Sequence, residues 1–477
     1  MEKIRLGIAA TRRFCFSKED AHRFKNLVLE KMRADERVEV IDIEDINEEG
    51  LLYDAVGDVD KIADKFIAAR VDALFFPHCN FGTEDTVAKV AKKVGKPVLL
   101  WGPRDEDPLE DGSRLRDTQC GLFATGKILR RFNVKFTYIP NCTLDDPLFE
   151  RGFDTFLRAV NVVKAFSKIR ILQIAPRPAG FWTMICNEGE LLEKFGIQIF
   201  PITLKELEMR TLAIEEEGGK ILCDEVKKIK SIVDCSDADE VSLRRTAALK
   251  LAIRSFADEQ ACTAVAIQCW NALQDSLDIM PCMVNGLLMD EGLPVTCETD
   301  IHGAVTCIMA YAAAMEKTVP FFADLTVRHT QNPNSELLFH CGNFPPSLAD
   351  GKTKFSRHFL FDGHKPGTHE GKIKLGDMTI VRFDGDHGEY RLFLGKAKGI
   401  EGKFTRGTYV WIEVNDWLLW EDKLVCGPYV HHCAGIHDAV IPALYEACKY
   451  IDGITPDLAD PEENVLRAWM RGSTDRY

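Results

Sequence analysis

No stretch of this chain approaches 18 consecutive apolar residues, so no transmembrane helix is expected. The amino terminus, MEKIRLGIAATRRF, lacks the apolar core and cleavage site of a signal peptide, and a cytoplasmic protein is expected. The 16 cysteines include no CxxC pair, which argues against a structural zinc site. Many sit in apolar runs, Cys262, Cys269, Cys297 and Cys307 among them, and read as small buried hydrophobes in a reducing compartment. No block of Lys and Arg stands out and the formal net charge is −14, so neither nucleic acid nor an anionic membrane is an expected partner. GxGxxG, GxxxxGK[ST], GxSxG and HExxH are all missing, which leaves nucleotide binding and serine hydrolysis without a signal. There is no low-complexity tract and no internal repeat.

What is present is an ordinary globular mixture, 46% apolar and 28% charged. Single cores stop growing at roughly 250–300 residues, so 477 residues require two or three domains. The first segment alternates apolar runs at Ile4–Ala10, Val38–Ile43, Ala73–Phe76 and Pro97–Trp101 with helical patterns at Lys18–Arg33, Val56–Ala69 and Thr86–Val94. That rhythm predicts a parallel sheet covered on both faces. Ligands in such sheets bind beyond the carboxyl ends of the strands, where Thr11–Phe14, Pro77–Glu84 and Gly102–Asp107 fall.

A junction is expected at Val160–Lys168, and a second α/β pattern starts at Ile169–Ala175. It continues through Gln198–Ile202, one long charged helix around Ile214–Ser231, a helix over Ala238–Asp258 and a strand at Ala264–Ile267. From about Gly342 Gly and Asp become frequent, and short β-rich runs appear at Met378–Phe383, Arg391–Ala397 and Thr408–Glu413. Asp384-Gly385 and Lys398-Gly399 read as the turns between them, and Ile436–Tyr450 as a closing helix. The expected fold is α/β: two doubly wound parallel-sheet domains, 1–165 and 166–342, then a small antiparallel β-barrel domain, 343–477, with its closing helix.

The densest polar cluster in apolar sequence is Pro294–Gly303, PVTCETDIHG, between a short strand and a small-residue helix. Thr299 or Asp300 is explained as a helix cap; Glu298 is not. In VPFFADL, Asp324 ends another apolar strand. Acids ending two adjacent parallel strands would lie side by side, and paired buried carboxylates suit a shared hard cation. Among histidines, His340 and the pair His431-His432 stand out, with a buried structural His as the bland alternative. Gln268 and Trp270 follow the strand AVAI, where an amide and an indole suit hydroxyl recognition and stacking on a sugar. Arg12, Arg13 and Asn80 follow strands of the first domain and read either as anion or hydroxyl ligands or as solvated surface groups.

Together Glu298 in CETD, Asp324 in FFADL and His432 in HHC resemble the three metal ligands of L-fucose isomerases, with the acids 26 residues apart. The HH pair resembles L-arabinose isomerases as well, and Leu375–Ile380 resembles a Gly-x-x-Thr-Leu strand of the same family. The flanking CETDIHG departs from the fucose enzyme, and the arabinose enzyme has Glu where Asp324 stands, which marks a divergent branch. The resemblance implies a metal-dependent aldose–ketose isomerase that moves a proton between C1 and C2 of an open-chain monosaccharide through a cis-enediol. It implies Mn²⁺, with Mg²⁺ or Co²⁺ as alternatives, held by Glu298, Asp324 and His432. Glu298 and Asp324 would be the acid–base pair, with Glu298 the principal base. Arg12, Arg13, Asn80, Gln268, Trp270, His340 and His431 become the expected substrate residues, His340 alternatively a ligand. A homo-oligomer, commonly a hexamer, is implied. The alternatives are a non-catalytic sugar-binding protein and an epimerase or lyase on the same metal site.

Overall fold

The computed structural model describes residues 2–53, 56–361 and 363–477. They form two compact units. The first holds Met1–Lys164, Tyr445–Tyr450 and Glu463–Tyr477; the second holds Ala165–Leu444 and Ile451–Glu462.

In the first unit, β1 (Ile4–Ile8), β2 (Val38–Ile41), β3 (Ala73–Pro77), β4 (Val98–Trp101) and β5 (Thr137–Tyr138) make one parallel sheet in the order β2-β1-β3-β4-β5. β3 and β4 are buried at every position, as apolar strands covered on both faces must be. The chain leaves β1 for β2 on one side and returns to β3 on the other, which creates a switch point beyond their carboxyl ends. Thr11 lies there and bridges to both Leu52 and His78.

The second unit begins with another parallel sheet, β6 (Arg170–Ile174), β7 (Gln198–Ile202), β8 (Ala264–Ile267) and β9 (Val295–Thr296), in the order β7-β6-β8-β9. Nine strands follow: β10 (Phe321–Arg328), β11 (Ser335–His340), β12 (Lys354–Arg357), β13 (Pro366–Lys372), β14 (Gly376–Asp386), β15 (Glu389–Ile400), β16 (Thr408–Glu413), β17 (His432–Ile436) and β18 (Ile454–Asp460). Six of them close a ring, β16-β11-β10-β17-β14-β15 and back to β16, with every pairing antiparallel. Closure leaves no open edge among these six. Phe321, Leu338, Ile380, Phe393, Val410 and Trp420 belong to its core. Each fully buried large apolar side chain contributes about 1.5–3 kcal/mol.

Two parallel-sheet layers and a closed antiparallel barrel are thus the fold expected from the sequence, but several elements differ. The long charged helix is two, Leu204–Glu217 and Lys220–Ile232, because Gly218 adopts φ +61° and ends the first. Asp384-Gly385 and Lys398-Gly399 lie inside β14 and β15; the hairpin turns at His387-Gly388, where both residues have positive φ. The two units divide between Lys164 and Ala165, within the junction read at Val160–Lys168 and in the last turn of the helix Pro147–Phe166. The closing helix shrinks to Ile441–Cys448, since Ile436 belongs to β17, and β18 and a helix at Glu463–Met470 follow it. No helix of the described residues is long and apolar enough to cross a membrane.

Candidate functional site

Asp324 does not end a parallel strand beside Glu298, as its position in the sequence had suggested. Its strand, β10, is antiparallel to both neighbours and pairs Asp324 with His432 of β17 on one side and Phe339 of β11 on the other. Alternation along the strands sorts the side chains. Phe321, Ala323 and Cys433 join the barrel core. Phe322 and Ala434 turn the other way and pack against Cys269, Cys297, Met289 and Cys307 of the parallel-sheet layer. Asp324 and His432 share that second face, and Glu298 meets them there from the loop after β9.

Local backbone geometry aims Glu298. It and Thr299 sit in the left-handed region, at φ +54° and +58°, a conformation that costs a non-glycine residue about 1–2 kcal/mol. Asp300 then caps the helix Ile301–Ala313 by accepting from Gly303 N–H at 2.8 Å.

The three groups converge. His432 Nε2 lies 3.4 Å from Asp324 Oδ1 and 3.8 Å from Glu298 Oε2. Both oxygens are buried and accept no hydrogen bond, which is costly unless something else binds them. The other oxygen of Glu298, Oε1, accepts from Trp270 Nε1 at 3.1 Å and Cys269 Sγ at 3.3 Å. Burial pushes the Glu298 carboxyl up to about 7; Cys297 and Asp324 add to the rise, and His340 and His432 oppose it. Burial works against the charged form of His432 too, but Asp300, Asp324 and Glu298 outweigh it and raise its pKa.

Behind His432 lies a buried ionic network. Asp300 Oδ2 accepts from His432 Nδ1 at 2.9 Å and from Arg382 Nη1 at 2.5 Å. Asp384 Oδ2 accepts from Arg382 Nε at 2.8 Å and Nη2 at 2.6 Å, and its Oδ1 lies 2.7 Å from His302 Nδ1. Burial alone would raise the Asp300 carboxyl, but Arg382 and His432 hold it well below the usual carboxylate range. The network had been read only as a possible cap at Asp300. Its signal was visible in IVRFDG, where Arg382 and Asp384 share one face of an apolar strand by period two.

His340 ends β11 and takes part differently. Its Nδ1 accepts from Cys341 N–H at 2.9 Å, so the neutral ring carries its proton on Nε2, which faces Glu298 Oε2 at 3.8 Å. His431 Nε2 stands 3.9 Å from Asp324 Oδ1; partial burial, then His432, lowers its pKa to about 4. Trp270 packs with Phe361 and Phe181, with ring centres 5.3 and 5.4 Å apart, and Phe181 also meets His431. Neither Phe181 nor Phe361 had been singled out. Gln268 lies apart from these rings, in a cavity of about 520 Å³ lined also by Gln173, Pro201 and Glu206.

Arg12, Arg13 and Asn80 form their own cluster in the first unit. Arg12 donates to Glu49 at 2.5 and 2.8 Å. Arg13 pairs with the Glu84 carboxylate and donates to Gly82 O at 3.0 Å. Asn80 Oδ1 accepts from Arg13 N–H at 2.7 Å and Gly82 N–H at 3.2 Å.

Asp324, His431 and His432 each bring a ligand atom within 4.8 Å of the others, and Glu298 Oε2 lies 3.8 Å from His432 Nε2; carboxylates and imidazoles so gathered are a donor set that fits a hard or borderline divalent cation. The orphaned Glu298 Oε2 and Asp324 Oδ1 are the atoms such an ion would satisfy. Residues 7–167 match the family model described as fucose/sulfoquinovose isomerase, N-terminal domain. A sulfoquinovose isomerase of Priestia aryabhattai is 24% identical over 417 residues, covering 83% of this chain and 88% of that protein. One from Alkalicoccus urumqiensis is 25% identical over 346 residues, covering 70% and 74%. One from Priestia megaterium matches to the same extent as the first. The chain is thus similar to fucose and sulfoquinovose isomerases in its first parallel-sheet unit and to sulfoquinovose isomerases over most of its length.

Proposed function

We propose that this chain is a metal-dependent aldose–ketose isomerase, an intramolecular oxidoreductase acting on an open-chain monosaccharide. The observation that carries the reading is the pair of buried, unpartnered oxygens, Glu298 Oε2 and Asp324 Oδ1, both turned toward His432 Nε2. Glu298, Asp324 and His432 would hold the cation, for which Mn²⁺ suits one imidazole and two carboxylates. When bound, that cation polarises the substrate carbonyl and so acidifies the neighbouring C–H.

The chain's own residues supply the rest. Glu298, whose other oxygen is fixed by Trp270 and Cys269, takes the C2 proton and returns it at C1. Asp324 stands as the second acid–base group. His340 presents an N–H toward Glu298 and stabilises its anion. Trp270, Phe181 and Phe361 offer apolar faces for the C–H groups of the sugar chain. A cytoplasmic setting and a homo-oligomer, commonly a hexamer in the family, belong to the same proposal and rest on the resemblance.

The relatives' names make sulfoquinovose the first substrate to offer. Chelator-stripped protein would be given Mn²⁺ in D₂O with sulfoquinovose, L-fucose, L-arabinose and D-arabinose, and followed by NMR. An isomerase gives a ketose with deuterium at C1 and recovered aldose with deuterium at C2. An epimerase would give an aldose inverted at C2. No turnover on any sugar, together with no Mn²⁺ binding, would overturn the reading.

A further inference from the structure

Cys269 and Cys297 flank Glu298 and take no part in the proton transfer proposed above. Their sulfur atoms and a Glu298 oxygen all lie within 4.8 Å of one another, and all three residues are buried. Cys269 Sγ donates to Glu298 Oε1 at 3.3 Å. Cys297 Sγ accepts from the side-chain amides of Asn285 and Asn343, each at 3.4 Å. Both asparagines are fully buried, and their carbonyl oxygens have no hydrogen-bond partner. Orphaning a buried amide oxygen is unfavourable, yet here two amides do so while turning N–H groups onto one sulfur. Donors of that kind suit a sulfur that carries negative charge. Core filling does not require them: Cys307 and Cys433 are equally buried, and among the described residues no amide side chain donates to either.

We propose that Cys269, Cys297 and Glu298 Oε1 form a second cation site, selective for a thiophilic divalent ion such as Zn²⁺ or Cd²⁺. Two sulfur ligands and one carboxylate oxygen favour such ions over Mn²⁺ and Mg²⁺. Binding releases the thiol protons to solvent, because the thiolate is the ligand. Glu298 offers Oε1 to this site and Oε2 to Asp324 and His432. One carboxylate then bridges the two sites, so a thiophilic ion places a second positive charge beside the first and weakens binding of the activating cation there. Only this inhibitory consequence rests on the isomerase reading; the binding itself does not.

The test uses the full chain with its exposed cysteines, Cys15, Cys120, Cys223 and Cys426, changed to serine to remove surface thiols. After chelator treatment, Cd²⁺ is titrated and the thiolate-to-cadmium charge-transfer absorption is recorded. The band should saturate at one Cd²⁺ per chain. It should be lost in Cys269→Ala and in Cys297→Ala, and kept in Asp324→Asn. Should either alanine variant fail to fold, the ¹¹³Cd resonance of the parent protein decides, since two-sulfur and oxygen–nitrogen coordination resonate in different ranges. No band, a band indifferent to both substitutions, or a resonance without sulfur character overturns the site. An inactive protein that keeps the band would sink the isomerase reading alone, and an active one without it would sink the thiol site alone.

Discussion

Asp300 Oδ2 lies 2.9 Å from His432 Nδ1, and this bond decides which nitrogen of the ring faces Glu298 and Asp324. With the Nδ1 proton given to Asp300, Nε2 keeps a lone pair for a cation. Arg382 in turn holds Asp300, and Asp384 holds Arg382. A carboxylate behind a ligating histidine fixes its tautomer and raises its basicity.

Replacing Asp300 by Asn should therefore weaken Mn²⁺ binding about 10–100-fold. It should also destabilise the fold by roughly 3–5 kcal/mol, because the buried Arg382 loses one of its two carboxylate partners. Calorimetric titration reads the first effect and thermal melting the second. Unchanged Mn²⁺ affinity in a folded variant would show that Asp300 is only a helix cap.

The sign of the pH dependence follows from Glu298. Burial raises its carboxyl to about 7, from an ordinary 4.5. The folded chain then retains a proton that the unfolded chain releases, so stability falls as pH rises between those values and levels off above. Glu336 shifts the same way, so the comparison has to be made against Glu298→Gln, in which Glu336 is intact. Ion-free wild type should lose roughly 3 kcal/mol relative to that variant between pH 4.5 and 7. Mn²⁺ should restore the difference above pH 7. Parallel stability curves for the two proteins would contradict the assignment.

Gly435 sits opposite Phe321 in the pairing that also joins His432 to Asp324. A Cβ at Gly435 would overlap the Phe321 ring. Gly435→Ala should cost about 1–3 kcal/mol by overpacking and shift β17 against β10, lowering Mn²⁺ affinity in proportion. Denaturant unfolding and metal titration on one sample check both.

Trp270 contributes an N–H as well as a ring face. Trp270→Phe keeps the face but removes the donor to Glu298 Oε1. A hydrogen bond to a charged group is worth about 1.5–3 kcal/mol, so kcat should fall by roughly tenfold or more with KM little changed. Trp270→Ala should raise KM as well.

How far the sequence discloses this site differs by residue. Glu298, Asp324 and His432 stand out because acids and histidines are rare in apolar runs. Their relation is hidden, because a run such as VPFFADL does not say whether its strand is parallel or antiparallel. The barrel was legible from short β-rich runs, but its hairpin was misplaced: Asp384-Gly385 carries the stronger turn signal, and the buried ion pair with Arg382 overrides it. Asp300 looked like a cap, and it is one; its second role needs β14 and β17 beside it, a contact of long sequence separation. The break at Gly218-Gly219 was readable from the glycines themselves.

The most direct measurement is a Mn²⁺ titration of chelator-stripped protein, followed by electron paramagnetic resonance, in wild type and in Glu298→Gln, Asp324→Asn and His432→Asn. A single three-ligand site requires one tightly bound ion per wild-type chain and a large loss of affinity in every variant. Equal binding in wild type and all three variants, or no bound ion in the wild type, would contradict it.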